Sequence, residues 1–128
     1  MFLKLYLVAF IVFIIIDLIW LGLIAKNIYA KYLESLMALK VNWVAAIIFY
    51  LLFIVGLVFF VIELAVSKDV WSYALLGGML FCLITYATYD LTNLATLKDW
   101  PITITIIDLI WGTSLGGLVS MITFFLVR

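Results

Sequence analysis

Ile15–Trp20 reads IIDLIW, and Ile106–Trp111 reads IIDLIW again. Both copies sit inside long apolar runs, so each places an aspartate where a charge is costly, three residues ahead of a tryptophan. Spacing of three puts Asp17 with Trp20, and Asp108 with Trp111, on one face of a helix. An ionisable group inside a membrane span marks a candidate functional site by default. Here it occurs twice in the same local setting.

The runs that hold the repeats decide the fold class. The chain has 128 residues, of which 70% are hydrophobic, against about 45–50% in ordinary soluble domains; its mean hydropathy is +1.44. So few polar residues cannot cover so much apolar surface in water, which implies an integral membrane protein. Spanning the hydrocarbon core takes about 20 helical residues. Four runs are that long, at about Phe2–Ala25, Asn42–Val66, Val70–Leu91 and Pro101–Val127. The expected fold is all-α: a polytopic protein with four transmembrane helices in a compact antiparallel bundle, a single domain over residues 1–128. The first run outlasts a signal-peptide core and contains an aspartate, and no A-x-A cleavage site follows; it reads as a retained helix.

The connections differ in kind. Lys26–Lys40 carries Ile28, Tyr32, Leu36 and Leu39 at helical spacing, with Lys26, Lys31, Glu34 and Ser35 elsewhere on the surface. This pattern fits a short amphipathic interfacial helix between helices one and two. Ser67–Asp69 is a tight link. Around Lys98-Asp99-Trp100-Pro101, Asp99 or Trp100 is expected as helix cap, with Pro101 in the first turn. The first and third connections hold Lys26, Lys31, Lys40 and Lys98, and the other side holds Lys4, Lys68 and Arg128. That slight excess favours a cytoplasmic position for the lysine-bearing connections, although the positive-inside rule calls for a larger bias.

Alternating spans make helices one and four antiparallel. Asp17 lies eight residues before Ala25, and Asp108 seven residues after Pro101, at the same membrane face. At a rise of about 1.5 Å per residue both lie roughly 10–12 Å inside it. The repeats are therefore expected at matching depth, as an inverted repeat would place them. Helix three ends on that side, with Tyr86, Asp90 and Asn93 sharing a face. The candidate binding residues are thus Asp17 and Asp108 as the charged centre, Asp90 and Asn93 as secondary polar groups, and Trp20, Trp111 and Tyr86 as walls. Glu63, at the opposite end, reads as snorkelling to the interface.

Carboxylates gathered at low dielectric require either a cation to neutralise them or a proton on one of them. Oxygen ligands from Asp17, Asp90, Asp108 and Asn93 would suit Mg²⁺, Ca²⁺ or Mn²⁺. Aromatic rings beside carboxylates suit an organic cation equally well. Blander readings stand beside these. A membrane aspartate can simply hydrogen-bond a neighbouring helix. The two tryptophans also fit an interfacial belt, and Asp90 is near enough to its helix end to be a cap or a surface group. Gly112–Gly116 fits GxxxG, and with Gly77-Gly78 it reads as close helix packing, within the bundle or across a dimer.

Net charge is zero and no basic stripe suggests nucleic acid. Without histidine, histidine base chemistry and the usual zinc sites are excluded. Cys82, the single cysteine, reads as a packing residue. No cofactor is expected. The expected partners are the lipid bilayer, a small-molecule, lipid-headgroup or cation ligand to be bound or transported, and a second copy of the chain, because one four-helix unit leaves little room for a pathway. The alternatives are a membrane enzyme acting on a lipid-soluble substrate, which lacks a recognisable nucleophile–base pair or phosphate loop, and an accessory subunit whose aspartates lock the fold.

D-L-I-W-L-G at Asp17–Gly22, Y-D-L-T-N-L-A at Tyr89–Ala95, and W-P followed by D-L-I-W-G at Asp108–Gly112 resemble the motifs of an uncharacterised bacterial family of small predicted membrane proteins. The resemblance covers essentially the whole chain. It implies a compact four-helix protein of the bacterial inner membrane, and it implies no activity.

Overall fold

The computed structural model describes residues 1–24, 26–33 and 42–128. Four of its helices are long and apolar enough to cross a membrane: Phe2–Leu23, Trp43–Lys68, Trp71–Thr96 and Ile102–Val127. We call these the first to fourth spans. Among the described residues there are no strands. Residues such as Leu7, Ile11, Leu52, Leu80 and Ile110 are exposed apolar groups on the outside of the bundle, as expected of surfaces that meet hydrocarbon rather than water.

What faces inward follows a four-residue spacing that carries the aspartates with it. On the first span Leu5, Ala9, Phe13 and Asp17 are the buried residues. On the third span they are Ala74, Gly78, Cys82 and Asp90. The fourth span is the most enclosed, with Ile104, Asp108, Gly112, Leu115, Gly116, Val119 and Ser120 all buried. Residues four apart lie on one face, so each aspartate extends an interior stripe. None of the three points into lipid.

The third and fourth spans pack most closely, and glycine sets their separation. A Cβ added to Gly78 would collide with the Gly116 carbonyl and Ser120, and one added to Gly116 with the Gly78 carbonyl and Cys82. The GxxxG segment thus acts within the bundle. Gly112 is likewise covered by the Tyr86 ring.

The second span meets the others unevenly. Phe53, Ile54, Leu57, Val58, Val61, Ile62 and Ala65 are buried, whereas nothing between Trp43 and Leu52 is. Its first ten residues therefore stand away from the third and fourth spans, and among the described residues the bundle is open at this end. At the other end, Arg128 Nε pairs with Asp69 Oδ1 at 3.0 Å.

Two spans contain a widened, π-helical turn, at Trp20–Ile24 and at Val58–Ile62. The first begins at the tryptophan of the first IIDLIW copy, while the second copy continues as regular α-helix through Trp111. Six identical residues thus have two backbone outcomes. The first copy lies at the end of its span, where the helical ladder no longer has to continue.

Several expected boundaries shift. The third span runs on to Thr96 instead of ending near Leu91; Thr96 Oγ1 donates to the Thr92 carbonyl at 2.8 Å, so its polar last turns remain helical. Asn42 caps the second span by accepting from the Ala45 N–H at 3.2 Å. Neither Asp99 nor Trp100 caps the fourth span. Pro101, with extended backbone, is the cap residue and the helix starts at Ile102. Trp100 instead folds inward and donates its indole N–H to Thr105 Oγ1 at 3.1 Å. The residue before a proline is pushed out of the helical region, which favours this arrangement. Asp69 and Asp99 carry the two left-handed turns, at φ 55° and 64°, a conformation aspartate tolerates better than most residues. Of the expected Lys26–Lys40 interfacial helix, Lys26–Leu33 is helical; residues 34–41 lie outside the described residues.

Candidate functional site

The two repeats meet. Trp20 and Trp111 stack with ring centroids 4.4 Å apart and planes 8° from parallel, at close range for an aromatic pair. The contact crosses between the copies in a second way as well: Asp17 is hydrogen-bonded by Trp111 as well as by Tyr50. The Tyr50 hydroxyl donates to Asp17 Oδ2 at 3.5 Å, long for an O–H···O bond and correspondingly weak.

Beside these rings lies a cavity of about 540 Å³, lined by Asp17, Trp20, Leu21, Phe49, Tyr50, Thr85, Tyr86, Tyr89, Asp108 and Trp111. It occupies the space left where the second span stands off. Leu21, Phe49 and Tyr89, each at least 40% exposed, form its rim, while Asp17 at 8% and Asp108 at 6% form its interior. Among the described residues, those that line it are acidic, hydroxyl-bearing, aromatic or aliphatic, and none is a lysine or arginine. The cavity thus presents carboxylate oxygens and aromatic faces together.

Of the residues expected at a site, Asp17, Asp108, Trp20, Trp111 and Tyr86 line this cavity. Asp90 and Asn93 do not. Asp90 is fully buried behind the wall, where its carboxyl faces that of Asp108; it is neither a helix cap nor a surface group. Asn93, one turn on, pairs with the Tyr89 side chain. Consequently the four oxygen ligands do not converge on one point. Among the described residues no three acidic or thiol side chains are placed to hold a metal ion.

Tyr50, Phe49 and Thr85 are lining residues that sequence reading passes over. Tyr50 is seven residues into the second span, about 10 Å from its start at 1.5 Å per residue and so level with the aspartates. Depth was the available signal.

A family model described as "Predicted membrane protein (DUF2177)" matches residues 2–125. The chain belongs to this family. The DUF2177 match covers the first three spans and all but the last two residues of the fourth, including both IIDLIW copies and the residues that line the cavity. It agrees with four apolar helices in describing a membrane protein, and it attaches no activity to the family. No curated protein and no solved structure matches the chain.

Proposed function

We propose that this membrane protein binds a small molecule or lipid headgroup bearing an organic cation in the cavity between the repeats. One observation carries the reading: two buried carboxylates and six aromatic rings line one cavity, with no basic side chain lining it among the described residues. Asp17 and Asp108 supply the negative charge, while Trp20, Trp111, Tyr50 and Tyr86 supply ring faces. A cation over an aromatic face gains about 0.5–2 kcal/mol, more where water is excluded. An anion there would meet two carboxylates and, among the described residues, no cationic side chain to offset the repulsion.

The rim suggests how a ligand enters. Leu21, Phe49 and Tyr89 are exposed on spans that would face lipid, so an amphiphile can slide in head first from the bilayer. Beyond the cavity, Gly78 and Gly116 bring the third and fourth spans into backbone contact. That closure favours a blind binding site in one copy. Movement across the membrane would call for a second copy. The motif resemblance supports a bacterial inner membrane as the setting.

Titration of the detergent-solubilised protein with 4-iodobenzyltrimethylammonium, followed by calorimetry, tests the reading. Asp17→Asn and Asp108→Asn should each weaken binding by about tenfold or more, as removing one partner of a desolvated charge pair does. Wild-type affinity in both variants would remove the cavity from the account. Competition by phosphatidylethanolamine would assign the cation to a lipid headgroup, and its failure to compete would assign it to a free amine.

A further inference from the structure

Asp90 has no role in the cavity, yet it lies at the centre of the bundle. Its side chain is fully buried, and neither carboxyl oxygen meets a hydrogen-bond donor among the described residues. What it faces across the helix interface is the carboxyl of Asp108. Two carboxylates offer each other only acceptors. A hydrogen bond between them exists when one carries a proton, and a buried polar group without a bond is costly.

Among the described residues the surroundings of Asp90 supply no positive charge. From the third span itself come Tyr86, Tyr89 and Asn93, and from the fourth Asp108 and Trp111. The first span contributes Asp17, and the second Tyr50. Tyr89 is influenced by both Asp90 and Asp108, and Asp17 is held by Tyr50 and Trp111. The nearest basic residue in sequence, Lys98, is exposed in the link after the third span.

We propose that Asp90 and Asp108 form an acid pair holding one proton, and that a cation entering the cavity displaces it. This rests on the cation reading of the cavity. Asp108 belongs to both structures: its carboxyl meets that of Asp90, and the residue also lines the cavity. The exchange balances. The pair, one carboxyl and one carboxylate, plus the incoming cation becomes two carboxylates with the cation beside Asp108, and one proton leaves to solvent. Charge and atoms are conserved, and Asp90 acts as a positioning residue that touches the ligand only through Asp108.

Two measurements on the wild-type protein test this. Infrared difference spectra between neutral and alkaline pH, where exposed carboxylates stay ionised throughout, should show the C=O stretch of a protonated carboxyl, a band that Asp90→Asn removes. Adding 4-iodobenzyltrimethylammonium, which has no proton to lose, to weakly buffered protein should release about one proton per bound probe, with affinity rising up to about tenfold per pH unit across the titration. Asp90→Asn should still bind the probe, now with affinity independent of pH and no proton released. Binding without proton release in the wild type overturns the exchange and leaves the cavity reading intact. A band that persists in Asp90→Asn overturns the acid pair. Failure of the probe to bind at any pH, with the band present, overturns the cavity reading and the exchange while the acid pair stands. Both wild-type readouts hold even if the variant does not fold.

Discussion

Asp17 and Asp108 differ in how their charge is managed, although the hexapeptide that holds each is the same. Asp17 is held by donors from two other spans, Tyr50 and Trp111, whereas Asp108 backs onto another acid. Removing the Tyr50 hydroxyl should therefore matter less than removing either aspartate. The bond is long, so Tyr50→Phe should weaken probe binding by only a few-fold, at the low end of the roughly 0.5–1.5 kcal/mol of an ordinary hydrogen bond. A loss as large as that of Asp17→Asn in the same titration would mean that Tyr50, not the carboxylate, is the main contact. The Trp20–Trp111 stack should contribute about 0.5–1.5 kcal/mol beyond the area it buries. Trp20→Ala should accordingly lower the denaturation midpoint in mixed micelles and loosen the cavity together.

At the scale of helices, the glycines divide into those that set a distance and those that do not. Gly116 has the Gly78 carbonyl and Cys82 against it, while Gly22 has open space. Gly116→Leu should destabilise the protein by about 1–3 kcal/mol or more through overpacking, and Gly22→Ala should leave the midpoint unchanged. Equal tolerance at both sites would contradict the close third–fourth contact. The Arg128–Asp69 pair is exposed on both sides, so Arg128→Ala should cost no more than about 1 kcal/mol. Much of this level was legible beforehand. Apolar run length located four spans, and residue counting from the helix ends put Asp17 and Asp108 at one depth. The burial of Asp90 was equally readable, because Ala74, Gly78 and Cys82 mark an interior stripe at four-residue spacing that leads through Tyr86 to it. Polarity near a helix end obscured that pattern and suggested a surface group. The π-helical turn of the first span could not be read, because Trp20 opens one at the end of the first copy while Trp111, at the end of the same hexapeptide, stays α-helical.

At the scale of the whole molecule, the described residues pack tightly at one end and leave a gap at the other. The second span is packed from Phe53 onward and stands off before it, and the cavity fills the resulting wedge. Phe49 and Tyr50 escaped sequence reading for this reason: in a continuous apolar run depth can be counted, but the sequence does not show whether a ring faces lipid or a gap between helices. If the wedge opens to the bilayer, nitroxide labels at Phe49→Cys and Tyr89→Cys should collide with lipid-soluble oxygen more than with a water-soluble nickel reagent. The reverse ranking would place the mouth in water and exclude entry from lipid. The most direct test of the whole account is an experimental structure in lipid with 4-iodobenzyltrimethylammonium bound, read from the anomalous signal of its iodine. The account predicts one iodine site in the cavity, with the ammonium head between Asp17 and Asp108 and the Trp20–Trp111 stack beside it. An empty cavity with the iodine elsewhere, or the two carboxyls turned apart towards separate helices, would contradict it and leave the repeated hexapeptide as a packing device.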